Sequence, residues 1–114
     1  MTLDVTRSDV IKGTVDMLVL QALQLGPMHG WGITELLERH SENVLQIGQG
    51  SLYPALYRLE RQNLVKSEWG ISDNNRRARY YSLTAAGRKR LREERREWER
   101  VSRAVTLVMS LGEA

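Results

Sequence analysis

The chain has 114 residues, enough for one domain with a modest core and an appended element, and too few for two full domains. Its net charge is +3 with a pI near 9.6, and arginine supplies 14 of its 17 basic residues, which suits bidentate contact with phosphate or guanine. The lack of cysteine excludes disulfides and thiolate metal sites, and no run reaches the ~18 apolar residues of a membrane helix.

A reducing cytoplasm fits this composition. The opening M-T-L-D-V-T-R-S-D has no basic segment followed by an apolar run, so a cytoplasmic protein is expected. Residues 1–9 are polar and read as a flexible N-terminus. Residues 10–25 read as a helix that is apolar nearly all round, with Ile11, Val15, Leu18, Val19 and Leu23. Such a helix is buried on more than one side. In so small a domain this asks for a partner subunit, with Val15 and Leu18 at the contact. Gly26-Pro27 ends the helix. Residues 28–32 read as a tight connection, and Ile33, Leu36 and Leu37 then give a second helix to about His40. A loop with two glycines follows.

Residues 50–61, G-S-L-Y-P-A-L-Y-R-L-E-R, are the stretch around which the chain is organised. Leu52, Leu56 and Leu59 recur at i, i+4 and i+7, one apolar stripe of a helix. The other side carries Ser51, Tyr53, Pro54, Tyr57, Arg58 and Arg61. These hydroxyls, rings and guanidiniums are the groups that meet phosphates and base edges. Ser51 reads as the N-cap and Pro54 as a first-turn residue. An amphipathic core helix with a wet outer face reads the same from this stretch alone.

After Asn63 the period changes from 3.6 to 2. Val65, Ser67 and Trp69 alternate with Lys66 and Glu68, then Asp73-Asn74-Asn75 signals a turn, and Arg79, Tyr81 and Leu83 alternate in a second strand. One of Tyr80 and Tyr81 faces the core, and the period does not say which. Arg76, Arg77 and Arg79 crowd the hairpin tip, with Asp73 the only acid near. Trp31 and Trp69 read as packing residues. Thr84 is a good N-cap for a last helix to about Leu111. Its apolar residues are Leu91, Trp98, Val101, Val105 and Val108, and from Trp98 onward the steps of 3, 4 and 3 make a short a/d seam, which suggests a dimer contact.

Three helices, a hairpin and a helix is the layout of a winged helix-turn-helix: mainly α with a small β-hairpin, plus a C-terminal dimerisation helix. Residues 10–83 form the DNA-binding domain and 84–114 the dimerisation helix. The third helix would enter the major groove. The wing arginines would reach phosphates or the minor groove. No His pair has metal-ligand spacing, G-Q-G at 48–50 is no nucleotide loop, and no nucleophile motif stands out. Neither an enzyme nor a metal or cofactor site is expected. A winged-helix module that docks protein in place of DNA is the alternative, and the tyrosines and arginines of the third helix speak against it.

H-G-W-G-I at 29–33, S-L-Y-P-A-L-Y-R-L-E at 51–60, the strand ending at Trp69 and R-A-R-Y-Y-S-L-T-A-A-G at 77–87 stand in an order and spacing that resembles the PadR-like transcriptional regulators. The likeness spans roughly residues 10–90. Trp31 departs from it, standing where tyrosine is commoner. The resemblance implies a homodimeric winged-helix regulator, usually a repressor, on a partly palindromic operator. It also implies DNA contact by Tyr53 and the wing arginines. The single C-terminal helix resembles the short-tailed branch, whose last helix packs on the partner's first. In some drug-responsive relatives an aromatic at the place of Trp98 lines a cavity between subunits. Trp98 reads first as a packing residue, and the likeness to those relatives offers a small planar aromatic effector as the alternative.

Overall fold

A computed structural model describes residues 9–113. Four helices and a three-stranded antiparallel sheet follow in the order α1 (Asp9–Leu23), β1 (Met28–His29), α2 (Gly30–His40), α3 (Gln49–Arg61), β2 (Val65–Ile71), β3 (Arg77–Leu83) and α4 (Ala85–Met109). The sheet order is β1-β3-β2. This is the winged helix-turn-helix that the layout predicts, with the C-terminal helix in place. No helix among the described residues is long and apolar enough to cross a membrane. Residues 1–8 of the expected flexible N-terminus lie outside the described residues, and Asp9 already belongs to α1.

The core lies where α1, α2 and α3 meet the base of the sheet. Val19, Leu20, Ile33, Leu52, Leu56 and Leu59 are all buried there. The predicted i, i+4, i+7 stripe of α3 is therefore its inner face. The turn after α3 is a Schellman motif. Leu64 N–H donates to Leu59 O at 2.9 Å and Asn63 N–H to Glu60 O at 3.0 Å. Asn63 takes the left-handed conformation, φ 61°, that this cap needs. Thr84 then ties the start of α4 to the same corner. Its N–H donates to Leu64 O and its hydroxyl to Asn63 O at 2.7 Å, and Oγ1 accepts from Gly87 N–H at 3.0 Å. A β-carbon on Gly87 would stand 2.0 Å from Leu64 O, so only glycine lets α4 leave this corner.

Four details differ from the sequence expectations. Residues 28–32 are not merely a connection. Met28 and His29 pair with Tyr81 and Tyr80 as a third strand, and α2 starts at Gly30. A two-residue strand carries no period; its partner strand creates it. The N-cap of α3 is Gly48, and Ser51 N–H bonds Gly48 O. Ser51 is thus inside the helix and Pro54 well past the first turn, where it leaves Gly50 O without a helical donor. Val15 and Leu91, expected at a dimer contact, are 2% and 1% exposed within this one chain. Nothing of them is left for a partner to cover, because α1 packs on α3, α4 and α2. Leu18 is half-buried against the same core. Trp31 and Trp69, read as packing residues, are 63% and 56% exposed.

Beyond Leu91 no residue of α4 is buried. The helix leaves the core and runs on for several turns with Trp98, Val101, Val105 and Val108 uncovered.

Candidate nucleic-acid interface

The outer face of α3 presents Tyr53, Pro54, Tyr57 and Arg61, all exposed, with Ser51 half-buried at its start. The Arg61 guanidinium lies 5.7 Å from the centre of the Tyr57 ring, a cation–π contact along one side of the helix. Tyr53 leans across the start of α2. A β-carbon on Gly30 would come within 2.5 Å of its hydroxyl oxygen, so Gly30 makes the room in which the ring lies. α2 is capped there by His29, whose Nδ1 accepts from Gly32 N–H at 3.0 Å. The His29 ring meets Tyr80 edge-on at 5.3 Å.

Arg58 faces the other way. It grips Asp16 of α1 in a fork, Nη2 to Oδ1 at 2.7 Å and Nε to Oδ2 at 3.4 Å, with both side chains about a quarter exposed. This pair fixes α3 on α1. It also accounts for the one inward-leaning cation of the predicted set, whose partner forty-two positions away no local pattern reveals.

The hairpin of β2 and β3 stands beside α3. Its turn is closed by Ser72 N–H donating to Arg76 O at 2.8 Å, with Asn75 at φ 61°. Arg76 and Arg77 project from its tip and edge, both exposed. Arg77 lies 4.3 Å over the Trp69 ring. Arg79 is held differently. Its Nε donates to Ser67 Oγ at 2.8 Å, Ser67 Oγ donates to Glu60 Oε2 at 2.6 Å, and Nη2 lies 3.4 Å from the same carboxylate. Glu60 of α3, not only Asp73, is therefore the acid near the wing arginines. Of the two wing tyrosines Tyr81 is the buried one, and burial raises its phenol above the ordinary range, against the nearby charge of Arg79, which lowers it.

Between the first turn of α2, α3 and the wing lies a cleft of about 950 Å³ lined by Trp31, Tyr53, Trp69, Arg76, Arg77 and Tyr80 among others. A second groove of about 310 Å³ runs between α1 and α4, with Asp16, Met17, Glu94, Trp98 and Val101 on its walls. Beside it Arg100 hydrogen-bonds Glu97 and, with its charge, holds that carboxyl below its usual range.

The comparisons with known proteins fit this geometry. The family model described as the transcriptional regulator PadR-like family matches residues 19–93. The chain belongs to this PadR-like family. It is 36% identical over 94 residues to the transcriptional regulator Rv3488 of Mycobacterium tuberculosis, covering 82% of this chain and 84% of the relative. A transcriptional regulator from Clostridium thermocellum has a similar structure at 31% identity and a TM-score of 0.78, covering 87% of this chain and 96% of that one. A PadR-like transcriptional regulator from Bacillus cereus does so at 25% identity and a TM-score of 0.77, over 93% of this chain and all of that one.

Trp31, Trp69 and Glu60 are residues of this surface that sequence reasoning did not assign to it, and Asp16 is the unassigned partner that turns Arg58 away from it. A signal existed for Trp31. It lies off the Ile33–Leu37 stripe of α2, between two glycines, with Glu35 one turn ahead.

Proposed function

We propose that this PadR-like regulator binds DNA sequence-specifically, as a homodimer and as a repressor, on a partly palindromic operator. The observation that carries the reading is the division of α3. Its leucines are buried, and Tyr53, Tyr57 and Arg61 stand outside beside Arg76 and Arg77 of the wing. That outer set is rich in donors and planar groups and poor in carboxylates, as base edges and phosphates require. α3 is the element for the major groove, the wing for the flanking phosphates or minor groove.

A second copy of the chain is the partner that best suits the uncovered apolar side of α4, where Trp98, Val101, Val105 and Val108 repeat at a/d spacing. Two-fold symmetry then presents two copies of α3. To enter successive major grooves on one face of the duplex they lie about one helical turn apart, roughly 34–36 Å. Trp98 lines the α1–α4 groove, which supports that groove as the site for a planar aromatic effector. On this reading the protein works in the cytoplasm as a regulator and not as an enzyme.

The test is selection of bound fragments from a random duplex library, followed by titration across salt concentrations. The expected results are an inverted repeat and a steep negative slope of log affinity against log salt. Absence of affinity for any duplex at low salt would refute the reading and favour a protein-docking module.

A further inference from the structure

We propose that the cleft between α2 and the wing takes a single sugar–phosphate strand of the duplex, and that Trp31 is the residue that packs against it. The inference rests on the DNA-binding reading above and adds a contact to it. In a duplex the major and minor grooves are separated by one sugar–phosphate strand. With α3 in the one and the wing tip at the other, that strand has to pass between them. On that path lies the 950 Å³ cleft, with the first turn of α2 and Tyr53 of α3 on one wall and the wing on the other.

Its walls suit such a strand. Arg76 and Arg77 supply positive charge on the wing side. The Trp69 ring 4.3 Å beneath the Arg77 guanidinium limits where that charge can swing, so Trp69 acts as a positioning residue. The acids on the walls are Glu35 and Asp73, and Arg79 is already engaged with Glu60.

On the opposite wall stands Trp31. It is 63% exposed at the first turn of α2, on the same concave side as Tyr53. An exposed indole has no stability reason to be there, since it buries little apolar surface. It offers a flat face for a deoxyribose and a single N–H donor for a phosphate oxygen. Gly30 beside it is buried under the Tyr53 ring, which brings the two aromatic residues to the same wall.

Trp31→Ala and Trp31→Glu, each checked by thermal melting, would be titrated with a random-sequence duplex and with the selected operator. The backbone contact is common to all sequences. Trp31→Ala should therefore weaken both complexes alike, roughly tenfold, the scale of one good contact. An indole carries no charge, so the salt slope should stay unchanged. Trp31→Glu should weaken both further and open the strand between the two grooves to hydroxyl-radical cleavage. Parent-like affinity in both variants, while Tyr53→Ala loses the operator, would overturn the cleft contact and leave the DNA-binding reading standing. Failure of the unsubstituted protein to bind any duplex would overturn both.

Discussion

The two faces of α3 make opposite demands, and one pair of substitutions separates them. Leu56 is 1% exposed at the centre of the core, between α1 and the base of the sheet. Leu56→Ala removes buried methyl groups and leaves a cavity that rigid neighbours cannot fill, at a cost of about 2–5 kcal/mol. For a domain of this size a kcal/mol moves the melting temperature by about 4–8 °C, so a fall of at least ~8 °C is expected. Tyr53 is 44% exposed, and its ring rests on the edge of α2 at Gly30 without entering the core. Tyr53→Ala should cost less than about 1 kcal/mol of stability, as surface changes do. It should weaken operator binding by about 1–3 kcal/mol, one contact's worth. Melting at a fixed protein concentration, with operator titration of the folded variant, reads both quantities. Early melting of Tyr53→Ala with normal melting of Leu56→Ala would refute the assignment of faces, and with it α3 as the recognition element.

Arg76→Ala and Arg77→Ala should each weaken operator and random duplex equally and lower the salt slope by roughly one, whereas Arg79→Ala, whose charge Glu60 already offsets, should change the slope less; equal slopes in all three would contradict the Glu60 contact. Val101→Glu with Val105→Glu places like charges in the proposed seam and should give a folded monomer by light scattering, because both side chains are exposed in the single chain; an intact dimer would remove the seam. Gly87→Ala drives a β-carbon into Leu64 O and should destabilise the fold by at least about 3 kcal/mol, read by urea unfolding, and a near-neutral effect would mean the corner can open. Tyr81 has a raised phenol in the fold, so the neutral form is favoured there. Its contribution is complete below the ordinary value near 10.0 and lost as pH rises through the raised folded value, and Tyr81→Phe should flatten that alkaline loss in a melting series.

The helical part of this fold is legible because its leucines obey one period, although a glycine cap without a side chain, Gly48, leaves the start of α3 unmarked. Thr84 caps α4 as its sequence position predicts, and the 52–56–59 stripe is the inner face of α3. What escaped was set by contacts between distant segments. β1 exists only because Tyr80 and Tyr81 pair with it. Alternation put Val65, Ser67 and Trp69 on one face but could not tell where the core ends. Val65 is buried, Ser67 half-buried and Trp69 exposed as the strand climbs away from the helices. The all-round apolar character of α1 suggests a partner when the sequence stands alone. In a chain this short, α2, α3, α4 and β3 surround much of that helix from within. The arginines of the candidate site are identifiable as a group, but which of them are paired with an acid depends on Asp16 and Glu60.

That division gives the surface its mechanical character. Arg58 with Asp16 binds α3 to α1, and Arg79 with Ser67 and Glu60 binds the wing to α3. Each pair individually is worth little at such exposure, about 0.5–1 kcal/mol. Their contribution is directional, because each joins a named atom of one element to a named atom of the next. Tyr53 on one side and Arg76 and Arg77 on the other line the cleft in which Trp31 stands. Asp16 also lines the α1–α4 groove on its other side. The carboxylate that ties α3 to α1 is therefore part of the wall of the groove in which Trp98 stands, so an occupant reaching Asp16 would touch the side chain that holds Arg58.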